Sequence, residues 1–106
     1  MGEKELIIRG LKDFLKNLSM NMEIEKIFLF GSRSNYSFKE NSDIDLIIVS
    51  PDFREMNFIE RGARMYDFWK MNYPVDFLCY TPEEFNKLKK RITIVREAVT
   101  NGIEIK

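Results

Sequence analysis

Two aspartates separated by one residue, Asp43 and Asp45, stand at the head of an apolar run, and a third, Asp76, opens a later one. Alternate side chains on a strand share a face, so Asp43 and Asp45 project together while Ile44 and Leu46 point the other way. Two carboxylates held side by side against an apolar strand repel each other and resist desolvation. A hard divalent cation relieves both costs. Magnesium suits the arrangement, because it takes one or two protein carboxylates and completes its shell with water and substrate phosphates. Gly31-Ser32 supplies the other half of such a site. Glycine lets backbone approach a phosphate closely, free N–H groups at a following turn attract anions, and the serine hydroxyl adds a hydrogen bond. Metal on one side and phosphate on the other is what phosphoryl chemistry requires.

Composition narrows the alternatives. The 106 residues contain no histidine, which excludes Ser-His-Asp and Cys-His catalysis, histidine bases and zinc sites that use histidine. Acid–base and metal chemistry therefore fall to carboxylates, with Lys, Tyr or Ser as helpers. Seventeen basic residues balance seventeen acidic ones, so no dedicated nucleic-acid binding is expected. Lys87, Lys89, Lys90 and Arg91 form a local basic cluster near a helix end and read as a solvated face. The one cysteine, Cys79, lies in the apolar run VDFLCY and reads as a core residue. No apolar run is long enough to span a bilayer, and the N-terminus MGEKELIIRG does not resemble a secretory signal, so a cytoplasmic location is expected.

The elements that must position the acids follow from periodicity. Ile7, Leu11, Phe14, Leu15 and Leu18 mark one face of a helix over residues 3–18. Residues 24–30 end in IFLF, a buried strand stopped by Gly31-Ser32, and the polar stretch 33–42 reads as a loop with at most a short helix. Residues 43–49 form a second strand closed by Ser50-Pro51-Asp52. Phe58, Gly62, Met65 and Trp69 suggest a helix over residues 57–71, with Tyr66, Phe68 and Trp69 read as packing rather than base-stacking residues. Tyr73-Pro74 breaks it before a third strand at 75–80. Thr81-Pro82-Glu83-Glu84 carries an N-cap threonine, a first-turn proline and a glutamate three residues after the cap. A last helix covers 93–101 and stops at Gly102.

The whole is one α/β (α+β) domain over residues 1–106, with a small mixed three-stranded sheet and helices packed on it. A helical crossover makes strands two and three parallel if they are adjacent, and the short return from Gly31 to Asp43 favours an antiparallel pair. Gly31, Ser32, Asp43, Asp45 and Asp76 then meet at one sheet edge.

The segment LFGSRSNYSFKENSDIDLIIV resembles the nucleotidyltransferase motif of the DNA polymerase β superfamily: Gly-Ser, about ten residues, Asp-x-Asp, and a third acid on a later strand. It is most similar to the minimal nucleotidyltransferase (MNT) family, whose motif runs GSR, a variable loop, then SDIDL. The resemblance implies metal ligands and catalytic acids at Asp43, Asp45 and Asp76, and phosphate contacts at Gly31, Ser32 and Arg33. It also implies two magnesium ions, ATP as donor, and transfer of AMP to a hydroxyl. The expected acceptor is a tyrosine of a HEPN-type toxin, or of another helical subunit that presents substrate, with this chain as the antitoxin in a homo- or hetero-oligomer. Family members often continue GSRARG, whereas this chain has Ser34, Asn35 and Tyr36. That departure keeps two other readings open: an antitoxin that neutralises by binding alone, and nucleotidyl transfer to a small molecule. In haloacid-dehalogenase phosphatases the Asp-x-Asp pair follows its apolar strand; here LIIV comes after the acids.

Overall fold

A computed structural model describes residues 2–30 and 43–106. The leading helix α1 (Glu3–Ser19) buries Ile7, Leu11, Phe14 and Leu18. Their spacing of four, three and four residues stacks them on one stripe. Glu3 and Glu5 lie at its N-terminal end and Lys16 near its C-terminal end, each opposite in sign to the helix dipole there.

Strand β1 (Lys26–Phe30) pairs antiparallel with β2 (Ile44–Val49), running from Lys26 opposite Val49 to Phe30 opposite Asp45. At the far end of β2, Ser50 begins a short 3-10 turn (Pro51–Glu55). Its hydroxyl accepts from the Asp52 amide and donates to the Glu23 carbonyl. Helix α2 (Phe58–Tyr66) starts on Asn57, whose side chain accepts from the Glu60 amide at 2.9 Å. Strand β3 (Val75–Tyr80) then returns parallel to β2, as the crossover requires. The expected capping box is present at α3 (Pro82–Leu88): Thr81 accepts from the Glu84 amide, and the Glu84 carboxylate accepts from the Thr81 amide. Helix α4 (Ile94–Asn101) is capped by Thr93.

Two features depart from the sequence reading. The sheet has four strands in the order β3-β2-β1-β4, not three, because Ile103–Glu104 forms β4 against the free edge of β1. Two residues are too few to carry a period of two, so no strand pattern precedes the structure there. A salt bridge from Lys26 to Glu104 at 2.8 Å and a hydrogen bond from the Ile105 amide to the Ile27 carbonyl hold this edge.

Helix α2 also ends at Tyr66 rather than continuing to residue 71. The Phe68 and Trp69 amides reach back three residues, to Met65 and Tyr66, and tighten the chain out of the helix. Its buried face is Arg61 and Met65; Phe58, expected inside, is 53% exposed. The apolar pattern was ambiguous because the inward position before Met65 is filled by an arginine.

Side chains alternate across the sheet and build two cores. Ile44, Leu46 and Ile48 of β2 face the larger one, with Ile7, Leu11 and Phe14 of α1 and Met65 of α2. Ile47 and Val49 face the other, with Phe28, Phe30, Phe85 of α3, and Val95 and Ala98 of α4. Helices thus cover both faces of one sheet.

Candidate active site

The register of β2 places Asp45 between Phe30 of β1 and Asp76 of β3. Registered residues on neighbouring strands project to the same side. The three therefore form a row on the face that carries Ile47 and Val49, the face covered by α3 and α4. Local contacts hold both carboxylates in place. The Ile44 amide donates to the Pro74 carbonyl at 2.8 Å, tying the head of β2 to the turn before β3. The Tyr66 hydroxyl donates to the Val75 carbonyl at 2.5 Å, and the Trp69 indole donates to the Tyr73 carbonyl at 2.9 Å. Both rings meet Phe77 edge-on. These aromatic residues brace the start of β3, which agrees with their reading as packing residues.

Asp45 is half-buried, while Asp43 and Asp76 are exposed. Burial raises the Asp45 pKa above its ordinary value, and the negative charges of Asp76 and Asp43 raise it further. A hydrogen bond with Asp76 that needs the Asp45 proton acts in the same direction. Among the described residues no lysine or arginine forms a salt bridge with any of the three. This is a concentration of negative charge that a cation would relieve, and an all-oxygen donor set is the kind magnesium takes. Asp45 and Asp76 are brought together directly. Asp43 lies just ahead of β2, and among the described residues no three acidic, cysteine or histidine side chains are gathered into a ready-made metal cage. Gly31, Ser32 and Arg33 lie outside the described residues.

In front of the acid row is an open cleft of about 690 Å³, within the usual range for small-molecule sites. Asp45, Asp76 and Phe30 line it from the sheet, and Ile94, Glu97 and Asn101 line it from α4. The α4 residues were not singled out as site residues from the sequence. The last helix was expected, but only the sheet order places it beside the acids. Cys79 is buried, and its thiol pKa is pushed up to about 12 by burial, partly opposed by Arg61. The basic residues Lys87, Lys89, Lys90 and Arg91 are exposed, as expected for a solvated face. Among the described residues no helix is long and apolar enough to cross a membrane.

A model of the family described as polymerase beta, nucleotidyltransferase matches residues 11–104. The fold is also similar to two crystal structures, each of a "putative nucleotidyltransferase". One, from Sulfolobus solfataricus, aligns with a TM-score of 0.68 at 20% identity, over 95% of this chain and 80% of that one. The other aligns with a TM-score of 0.47 at 24% identity, over 78% and 87%. None of the curated proteins compared matches the chain.

Proposed function

Because the chain belongs to the polymerase beta nucleotidyltransferase family, its general chemistry is nucleotidyl transfer, and we propose that it transfers AMP from ATP to a protein hydroxyl in a magnesium-dependent reaction. The observation that carries this reading is the pairing of Asp45 with Asp76 across parallel strands at the wall of a ligand-sized cleft.

Asp43, Asp45 and Asp76 would hold two magnesium ions. Bound there, the ions supply charge neutralisation for the triphosphate and a lowered pKa for the acceptor hydroxyl. Asp76, the more exposed member of the pair, takes the hydroxyl proton. The acceptor oxygen then bonds to the α-phosphorus, the bond from that phosphorus to the bridging oxygen breaks, and pyrophosphate leaves. Gly31, Ser32 and Arg33 are the proposed phosphate contacts, on the strength of the motif alone.

The motif is most similar to that of the MNT proteins. On that basis the acceptor is a tyrosine of a HEPN-type toxin, and this chain acts as the antitoxin in the cytoplasm. The test is incubation with labelled ATP, magnesium and the product of the neighbouring gene, followed by mass spectrometry of both chains. One added AMP on a partner tyrosine, lost in the Asp43→Asn/Asp45→Asn double variant, is the expected result. Transfer retained in that variant overturns the mechanism. The Ser34-Asn35-Tyr36 departure favours one alternative, neutralisation by binding alone. Toxin neutralised by the double variant with no nucleotide turnover is its signature.

A further inference from the structure

The cleft in front of Asp45 and Asp76 has a second wall that the phosphate chemistry does not use. Helix α4 contributes Ile94, Glu97 and Asn101 to it. Steps of three and four residues place them on one helix face. Their neighbours Val95 and Ala98 are buried in the core, which fixes how the helix is rotated. Ile94 keeps 49% of its surface exposed beside the cleft. Glu97 and Asn101 are exposed, and among the described residues neither side chain makes a hydrogen bond or ion pair.

Charge decides what part of a ligand they suit. A carboxylate on the rim of a cleft already lined by two aspartates repels a triphosphate unless a metal intervenes. It is well matched to neutral groups that donate hydrogen bonds, and vicinal sugar hydroxyls are such groups. The Asn101 amide offers both donors and an acceptor, the complement of a base edge. Ile94 adds exposed apolar surface against which a planar ring can lie, with the edge of the buried Phe30 behind it. The volume also exceeds what phosphates and a cation need.

We infer that α4 is the nucleoside-recognition wall of the site, with Glu97 accepting hydrogen bonds from the ribose hydroxyls of the donor nucleotide and Asn101 contacting its base edge. The inference rests on the proposed nucleotidyl-transfer reading, and it names which part of the chain selects the donor.

The test is equilibrium binding of magnesium nucleotides to the full chain with no acceptor present. The probes are ATP, 2′,3′-dideoxy-ATP, GTP and inorganic tripolyphosphate. Glu97→Ala should weaken ATP binding by about tenfold, the cost of losing a charge-assisted hydrogen bond. It should leave dideoxy-ATP and tripolyphosphate unchanged or slightly tighter, so that the preference for the ribonucleotide collapses. Asn101→Ala should change the ratio of ATP to GTP affinity. Both side chains are exposed, and unchanged thermal midpoints verify folding. Equal effects on ATP and dideoxy-ATP overturn the inference, as do variants that bind every probe like the wild type. A wild type that binds no magnesium nucleotide overturns the reaction reading as well, so the two failures are distinguishable.

Discussion

Asp45 occupies a place that costs the fold something. It is half-buried, faces Asp76 across the sheet, and has Asp43 two residues before it, with no basic side chain in a salt bridge with any of them among the described residues. Asparagine has nearly the same shape and no charge, so Asp45→Asn removes the repulsion while keeping the packing. The variant should show a higher thermal midpoint than the wild type in chelator and a loss of nucleotidyl-transfer activity with magnesium of roughly 100-fold or more, the scale on which removing one electrostatic contributor acts. A midpoint that falls in chelator would mean that Asp45 is a net structural asset. Cys79 presents the opposite case. Its thiol is 1% exposed and its pKa is pushed up to about 12, so little thiolate exists near neutrality. Iodoacetamide at pH 8 should leave the folded protein unmodified and label Cys79 rapidly in denaturant, as mass spectrometry would read directly.

Individual elements are held by a few contacts between neighbours. Arg61, buried in α2, donates to the carbonyls of Phe53, Met56 and Cys79 and to the Glu84 carboxylate at 2.7 Å. It thereby ties the 3-10 turn, α2, β3 and α3 together. Arg61→Ala strands several acceptors at once and should cost about 2–4 kcal/mol in urea unfolding. The pH dependence follows from Glu84. Burial pushes its carboxyl up, but the Thr81 amide and the Arg61 guanidinium outweigh that and hold its pKa below the ordinary 4.5. A depressed carboxyl contributes its full stability above the unfolded value and loses it as pH falls through the folded one. Unfolding free energy should therefore decline below pH 4.5 more steeply in the wild type than in Glu84→Gln. At Gly102 the constraint is steric. An added Cβ would lie 2.7 Å from the Leu29 carbonyl oxygen and closer still to that of Ala98, both backbone atoms that cannot swing away. Gly102→Ala should cost about 1–3 kcal/mol and speed amide exchange in β4.

These contacts also show what the sequence could reveal about the elements. Ile7, Leu11, Phe14 and Leu18 predicted α1 because a single helix face determines its own burial. Thr81-Pro82-Glu83-Glu84 predicted the start of α3 because capping is local. Arg61 was not legible: its burial depends on four acceptors that all lie outside its own helix. Gly102 was legible as a helix stop, but its close approach to β1 was not, because β4 gains its identity only by pairing. The same division runs through the site. The Asp-x-Asp spacing and the parallel crossover brought Asp45 and Asp76 to one edge in advance. The wall of α4 depends on sheet order and could not be read from Ile94, Glu97 and Asn101 themselves.

At the scale of the whole molecule, the sheet separates two cores and the candidate site shares its face with the smaller one. The radius of gyration is 13.2 Å, close to the roughly 13 Å expected of a single domain this size. Within the described residues, the acids that would meet the ligand sit on β2, in the middle of the sheet, and on β3, its edge neighbour. A ligand held by Asp45 and Asp76 therefore bridges strands that must separate on unfolding, and it should stabilise the global transition rather than a local one. Linkage sets the size: at a hundredfold excess over its Kd, a ligand specific for the folded state adds about 2.7 kcal/mol. For a domain of about 100 residues that corresponds to roughly 10–20 °C in the thermal midpoint. Magnesium and ATP together should give a shift on this scale, and ATP in chelator should give much less, because the triphosphate then meets the Asp45 and Asp76 carboxylates with no metal between them. Asp45→Asn should start from a higher midpoint and respond far less to the pair. A full response in that variant would place the nucleotide away from the acid row and would separate the stability of this sheet from its chemistry.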